Sequence, residues 1–365
     1  MLLSNLTVVN YKNLEQIELS FSSKINCLIG NNGMGKTNLL DAIYYLSFCK
    51  SFTNPVDIQN IHHAHDFFVI QGIYQRIEGE DTVVYCGLKR RQKKQFKLNK
   101  KEYERLSDHI GYLPLVVISP FDSSLISEGS EERRRFVDSV ISQYNKLYLI
   151  DLIRYNKALM QRNSLIKNNL MQDDLVIDIL EEQMAQAAEV IFNARKAFID
   201  EFVPLFEKRF NEITAASEHV LLKYQSQLFS NNLLSALRES REKDKILGYT
   251  TVGIHRDDLE MLLDDFPIKR IGSQGQNKSF LIALKLAQYD IVKQSSQLKP
   301  MLLLDDLFDK LDAQRVERLV RLVGGNDFGQ IFITDTNRDH LIEILKNTNL
   351  EVSYFFVDNG TVVRY

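Results

Sequence analysis

The sequence predicts an α/β fold assembled from both ends of the chain and interrupted by a mostly helical insertion. Three observations predict it. Short apolar runs of strand character lie toward the start and return toward the end. Between them, Glu131–Asn169 and Asp173–Ile213 carry apolar residues at three- and four-residue steps, with no glycine and Pro204 as the one breaker. A glycine-rich loop, Gly30–Thr37, stands between a buried-strand run and a helical one.

Leu2–Val9 and Ile17–Phe21 read as strands around Asn10-Tyr11-Lys12-Asn13, and Lys24–Ile29 as a buried strand. Asn38–Phe48 is helical. Phe67–Tyr74 and Thr82–Leu88 predict a hairpin around Glu78-Gly79-Glu80-Asp81, and Leu113–Ile118 a buried strand that Pro120 stops. The middle segment is expected to be a helical hairpin turning between Asn168-Asn169 and Asp173-Asp174. A single 40-residue helix there would be about 60 Å long. Strands return at Val220–Tyr224, Met301–Leu304 and Gln330–Thr334. The expected boundaries are 1–125 and 218–365 for the two parts of the α/β domain and 126–217 for the helical arm.

With 44 % apolar and 25 % charged residues the 365-residue chain has an ordinary globular composition. Its net charge of −3 announces no global basic field, so any nucleic-acid surface must be local. No run approaches the roughly 18–20 apolar residues of a membrane span. The N-terminus reads as a strand and not a signal peptide. Cys27, Cys49 and Cys86 are odd in number and widely spaced, which argues against a disulfide framework or a cysteine zinc site. A cytoplasmic location is expected.

Gly30-Asn31-Asn32-Gly33-Met34-Gly35-Lys36-Thr37 matches G-x-x-x-x-G-K-[ST] at every fixed position, in the strand–loop–helix setting that pattern requires. Glycines let the backbone curl so that successive amides face phosphate oxygens, and the following helix adds its positive end. ATP is the expected ligand. Lys36 is expected on the β- and γ-phosphates, and the Thr37 hydroxyl on Mg2+. Met301–Leu304 ends in Asp305-Asp306. This strand is expected beside the first, with Asp305 holding magnesium through water and Asp306 orienting or deprotonating the attacking water.

Gly272-Ser273-Gln274-Gly275-Gln276-Asn277-Lys278 opens the helical run Ser279–Tyr289 and resembles the signature of ABC-type ATPases. Phe308-Asp309-Lys310-Leu311-Asp312 resembles their D-loop. Glu131–Asp138, following Ile118-Ser119-Pro120-Phe121, resembles the acidic–Arg-Arg stretch of SMC-type heads. With Gly253-Ile254-His255-Arg256-Asp257-Asp258 ahead of the signature, the whole chain resembles the RecF family in motif order and in its short arm. That resemblance implies an ABC/SMC-type head that binds ATP and Mg2+, dimerises head to tail around two nucleotides and binds DNA in that state. It further implies slow, DNA-stimulated ATP hydrolysis that releases DNA, and cooperation with RecR and RecO in loading RecA at gaps and junctions. Ser273, Gly275 and Gln276 would then act in trans on the partner's nucleotide.

The chain departs from the wider pattern where glycine precedes Ser273, where Gln274 replaces a glycine, and where Asp306 stands for the usual glutamate. Pro120 occupies the region of a metal-contacting glutamine, and at Ile333–Asn337 no histidine stands where ABC transporters have their switch histidine. These departures predict slow turnover. They also disfavour a transporter ATPase subunit, while an SMC-like nuclease-linked ATPase would need a nuclease or zinc-hook segment.

Lys89–Lys101 carries eight cations and no acid. Lys89, Arg90, Arg91, Lys93, Lys94 and Lys97 are therefore candidate contacts to DNA phosphates. Arg133, Arg134 and Arg135 form a second cluster, whose bland explanation is a solvated face with Arg135 pairing Glu131. His255 and Arg256 are expected to be structural, with Arg256 pairing Asp257 or Asp258. His62, His63 and His65 with Asp66 have no metal-ligand spacing.

Overall fold

Strand β1 (Leu2–Tyr11) buries Leu3, Leu6, Val8 and Asn10, an alternation that slips once. A bulge between Leu3 and Asn5 shifts the phase, so that both Leu3 and Leu6 face the core. β1 pairs antiparallel with β2 (Leu14–Ser20) and with β4 (Phe67–Gln75). The sheet continues through β5 (Thr82–Lys89), β6 (Gln95–Leu98) and β7 (Lys101–Glu102). The structure, a computed structural model, describes residues 1–75, 80–168, 174–215, 218–307, 313–336, 338–345 and 351–364. The D-loop at 308–312, Asn337 and the turn expected at 169–173 lie outside the described residues.

The chain divides into two units. The first comprises Met1–Ser123, Arg209–Ala216 and Gln274–Tyr365. Besides the antiparallel sheet it holds a second, mostly parallel one of strand order β15-β14-β3-β13-β12-β8. Here β3 is Ile25–Ile29, β8 Leu115–Ile118, β12 Met301–Leu304, β13 Ile331–Asp335, β14 Val352–Asp358 and β15 Thr361–Arg364. Every residue of β3, β8, β12 and β13 is buried, as expected of parallel strands covered on both faces. Helix α1 (Lys36–Phe48) buries Leu39, Leu40, Ile43 and Leu46 in a core shared with residues of both sheets.

One expectation is corrected. β12 is not beside β3, because β13 pairs in parallel with both, Thr334 opposite Leu28 and Ile333 opposite Leu304. The crossover through α10 (Ala313–Val323) makes β12 and β13 neighbours.

The second unit comprises Ser124–Lys208 and Ser217–Ser273. Residues 218–273, expected with the α/β domain, thus group with the helices. After the short α2 (Ser124–Ser127), the first helical stretch is two helices, α3 (Ser130–Ser142) and α4 (Lys146–Lys167). Asn145 starts the second by accepting a 3.0 Å bond from the Tyr148 amide. Helix α5 (Asp174–Thr214) runs through Pro204 without ending. Strands β9 (Val220–Gln225), β10 (Asp258–Leu263) and β11 (Phe266–Pro267) form a small antiparallel sheet. Helices α6 (Leu233–Glu239), α7 (Arg241–Leu247) and α8 (Ile268–Ile271) complete this unit. The first unit gains α9 (Gln274–Ser296) and α11 (Arg338–Leu345). Among the described residues no helix is long and apolar enough to cross a membrane.

Arg162 of α4 is fully buried between Glu181 of α5 and Asp244 of α7. Its guanidinium donates to Glu181 at 3.0 Å, to Asp244 at 2.7 Å and to the Thr250 hydroxyl at 2.8 Å. Arg241 bonds Glu181 from the other side at 2.7 Å. Truncating one member strands the others as buried charges. Arg162→Ala is therefore expected to destabilise the second unit by about 3–5 kcal/mol. A denaturant titration checks this, and an unshifted transition would contradict the network.

Candidate functional site

The Gly30–Thr37 loop joins the end of β3 to α1 and is held from several sides. A side chain at Gly30 has no room, since its Cβ would lie 2.1 Å from the Val357 carbonyl oxygen of β14. Gly33 and Gly35 take φ of +81° and +114°, where a side chain is strained. Asn13, in the β1–β2 turn, donates to the Gly33 carbonyl at 3.3 Å and accepts from the Asn38 amide at 2.8 Å. On the far side the Gly360 amide donates to the Met34 carbonyl at 3.0 Å. Neither support was read from the sequence. Asn13 and Asn359-Gly360 look like ordinary turn residues until the fold brings them to the loop.

Lys36 is buried and donates to the loop carbonyls of Gly30 at 2.6 Å and Asn31 at 2.9 Å. Burial pulls its pKa down, opposed by Asp306, Asp305 and Asp335 nearby. The Thr37 hydroxyl lies 3.0 Å from both carboxylate oxygens of Asp305. A second hydroxyl, Thr334 at the end of β13, donates to Asp305 at 2.8 Å and accepts from the Asp306 amide at 2.9 Å. Asp306 itself sits at φ +51°, a left-handed position that aspartate, like asparagine, takes more readily than most non-glycine residues. Burial pushes the Asp305 carboxyl pKa up despite its two hydroxyl partners, with the Asp306 charge adding in the same direction.

This arrangement is a buried lysine, a hydroxyl and a cluster of acids at the carboxyl ends of parallel strands. A hydroxyl and an under-compensated carboxylate form an oxygen donor set suited to a hard cation such as magnesium, which takes one or two carboxylates and completes its shell with phosphate and water. Lys36, Thr37, Asp305 and Asp306 thus come together. Thr334 and Asp335 join them unforeseen, although the rule that pointed to Asp305 and Asp306, acids at a strand's carboxyl end, applies equally to β13. Of the signature residues, Ser273 is exposed immediately before α9, and Gln276 is half-buried in its first turn. Gly275 leaves room for Arg315 of α10, whose guanidinium would be 2.9 Å from a Cβ there.

The basic hairpin divides. Lys89, Arg91 and Lys93 are exposed. Arg90 reaches Asp66 at 3.6 Å, and Lys97 lies over the Tyr85 ring at 5.5 Å. Lys94 is not a surface cation. It turns inward to Asp57 at 2.6 Å, the Cys49 carbonyl at 2.7 Å and the Tyr45 hydroxyl at 3.1 Å. The preceding run of cations has left β5 and passed through a turn in which Arg91 takes positive φ, so side-chain direction no longer follows sequence position.

The second cluster is mostly internal. Arg133 forks onto Asp258 at 2.7 and 2.9 Å, and Arg134 donates to the Asp257 carbonyl at 2.7 Å. Arg135 pairs Glu131 and Glu132 on the surface of its own helix. Arg256 pairs neither Asp257 nor Asp258, since Arg195 and Tyr224 take Asp257 and Arg133 takes Asp258. It donates instead to the Thr250 carbonyl. Among the described residues no group of three or more acids, histidines or cysteines is placed to hold a metal.

The family described as RecF/RecN/SMC N terminal domain matches residues 2–361. The DNA replication and repair protein RecF of Bacteroides fragilis (strain YCH46) is 59 % identical over 99 % of this chain and 98 % of its own length. That of Phocaeicola vulgatus is 60 % identical over 100 % and 98 %. A solved structure of the recombination mediator protein RecF with ATP in the RecFOR pathway superposes with a TM-score of 0.89. It is 28 % identical, with 100 % of this chain and 97 % of that one covered. An Smc head bound to the C-winged helix domain of ScpA, 14 % identical, matches with a TM-score of 0.61 over 100 % and 98 % of the two chains, a likeness of fold alone.

Two predictions follow from this geometry. The raised Asp305 pKa means that the folded chain binds this proton more tightly than the unfolded chain does. Ionisation therefore destabilises the ligand-free fold, and the Asp305 contribution is lost as pH rises from the unfolded carboxyl pKa through the raised folded one. Asp305→Asn should melt higher than the parent at neutral pH without nucleotide, yet lose the stabilisation conferred by ATP with magnesium. A lower melting temperature without nucleotide would refute the desolvation argument. For the hairpin, Lys94→Ala should lower stability by about 1–3 kcal/mol, while Lys93→Ala should not. Equal melting of the two variants would return Lys94 to the surface set.

Proposed function

The chain belongs to the RecF family, and from that membership we propose that it is an ATP-switched DNA-binding protein of replication and recombinational repair, working in the cytoplasm. The observation that carries its nucleotide chemistry is the meeting of the Thr37 hydroxyl with both oxygens of Asp305 at 3.0 Å, beside the buried Lys36. Like its ABC/SMC-type relatives it is an ATPase.

ATP binds along Gly30–Thr37, its phosphates facing the loop amides and the start of α1. Lys36 exchanges the carbonyls of Gly30 and Asn31 for β- and γ-phosphate oxygens, gaining an anionic partner for a charge that burial disfavours. Thr37 and Asp305 would hold Mg2+, which would neutralise phosphate charge. Asp306 orients or deprotonates the attacking water. It is one methylene shorter than a glutamate, and its backbone is fixed by Thr334, so water is held less closely and turnover is slow. DNA stimulates that weak hydrolysis.

Ser273, Gly275 and Gln276 reach the γ-phosphate of a second copy in a head-to-tail dimer. A hydroxyl and helix-start amides are suitable anion donors. The γ-phosphate then favours the closed dimer because only that state engages it twice, and hydrolysis removes the differential contact. In that state the dimer binds DNA at gaps or single/double-strand junctions without regard to sequence. With RecR and RecO it promotes RecA loading.

The test is DNA affinity across a salt titration, with and without a non-hydrolysable ATP analogue, with light scattering on the same samples. A dimer that binds tightly only with the analogue is expected, and Lys36→Ala should abolish both effects. Turnover should fall well below the roughly 1–10³ s⁻¹ of ordinary enzymes. Analogue-dependent dimers that ignore DNA would keep the ATPase and discard the DNA switch.

A further inference from the structure

Four arginines line a cavity of about 420 Å³ in the second unit, between α3, α4 and the segment from Tyr249 to Arg256. Two of them are neutralised. Arg195 is held by Asp138 at 2.8 Å and Asp257 at 2.7 Å, and Arg135 by Glu131 and Glu132. The two acids of the lining, Glu131 and Asp138, are both engaged in these pairs. Arg134 and Arg256 differ. Among the described residues neither has a carboxylate within salt-bridge distance, and each donates to a main-chain carbonyl, of Asp257 and of Thr250. A neutral carbonyl satisfies one donor but does not cancel the charge, and most of each guanidinium fork is left over.

The surroundings agree. Burial and the Arg195 charge lower the Arg134 pKa despite three carboxylates at longer range. His255, in the same lining, is pulled down to about 4, first by burial and then in part by Arg256 and Arg134, so it adds no charge of its own at neutral pH. Arg256 lies 4.9 Å over the ring of Tyr249, itself 43 % exposed. The carbonyl that holds Arg256 belongs to Thr250, whose hydroxyl and amide are pinned by Arg162 and Asn163. Two under-compensated guanidiniums are thus fixed at a concave surface beside an exposed aromatic ring.

We propose that this cavity is a phosphate-binding site in which Arg134 and Arg256 grip a phosphodiester of the nucleic-acid backbone while Tyr249 packs against the adjoining sugar or base. The assignment rests on the DNA-binding function proposed above and locates a contact that the basic hairpin does not supply. Guanidinium forks match phosphate oxygens two at a time, and an aromatic face accepts any base. The site is accordingly indifferent to sequence.

The experiment is fluorescence anisotropy with a labelled gapped duplex, run on the full chain with ATP analogue across a salt series. The unaltered chain is compared with Arg256→Gln, Arg256→Lys and Arg134→Gln, with melting temperatures recorded for all. Arg256→Gln, an exposed position, should melt like the parent, bind roughly tenfold more weakly, and lower the slope of log affinity against log salt by about one. Arg256→Lys should recover part of the affinity. Inorganic phosphate should compete beyond a chloride control of equal ionic strength. Wild-type affinity and slope in both glutamine variants would overturn the proposal. If phosphate raises the melting temperature of the parent but not of Arg256→Gln while DNA binding is unaffected, the ligand is free phosphate and the nucleic-acid assignment falls. Failure of the unaltered chain to bind DNA would remove the proposed function itself and this site with it.

Discussion

The candidate nucleotide site depends on how closely main chain can approach main chain around the Gly30–Thr37 loop. A Cβ at Gly30 would stand 2.1 Å from the Val357 carbonyl oxygen, and one at Gly360 would stand 2.2 Å from that of Asn13. The first packs strand β14 against the start of the loop, and the second packs the β14–β15 turn against the β1–β2 turn, whose Asn13 and Gly360 each bond a loop carbonyl. Between these anchors Gly33 and Gly35 hold φ of +81° and +114°, with the Gly33 carbonyl bonded by Asn13 and the Met34 carbonyl by Gly360. Preorganisation of this kind matters because a flexible loop must lose its entropy when ligand binds.

The charges behind that loop follow from the same packing. Lys36 and Asp305 are both buried, and both are shifted toward their neutral forms by desolvation. Two hydroxyls, of Thr37 and Thr334, partly solvate Asp305 without neutralising it. A site so arranged has unmet demand for a cation near Asp305 and for anionic oxygen near Lys36. On the function proposed above, ATP with magnesium would meet both demands together, and its binding would stabilise the first unit.

In the second unit arginines are handled in the opposite way. Arg162, Arg195 and Arg133 are each matched by carboxylates, so these three charges are spent inside the fold. Sequence clustering of Arg133, Arg134 and Arg135 therefore says little about a surface. Three successive residues on a helix point in three directions. What distinguishes Arg134 and Arg256, 122 positions apart by number, is that the fold brings them to one cavity without giving either an acid.

The sequence by itself determined the elements whose signals are local. The phosphate loop, its strand and helix, the acidic end of β12, the entry to α9 and the helical character of the middle segment all follow from spacing and periodicity over short windows. The full run of α5 through Pro204, the return of residues 218–273 to the helical unit, and the insertion of β13 between β3 and β12 were decided by tertiary structure. So were the inward turn of Lys94 and the support of the loop by Asn13 and Gly360. Strand order and side-chain partnership are contacts between residues far apart in sequence, and a window of a dozen residues contains only one side of each. Thr334 shows the limit well: nothing in Gln330–Thr334 distinguishes it from a strand threonine, until β13 lies beside β12 and its hydroxyl meets Asp305.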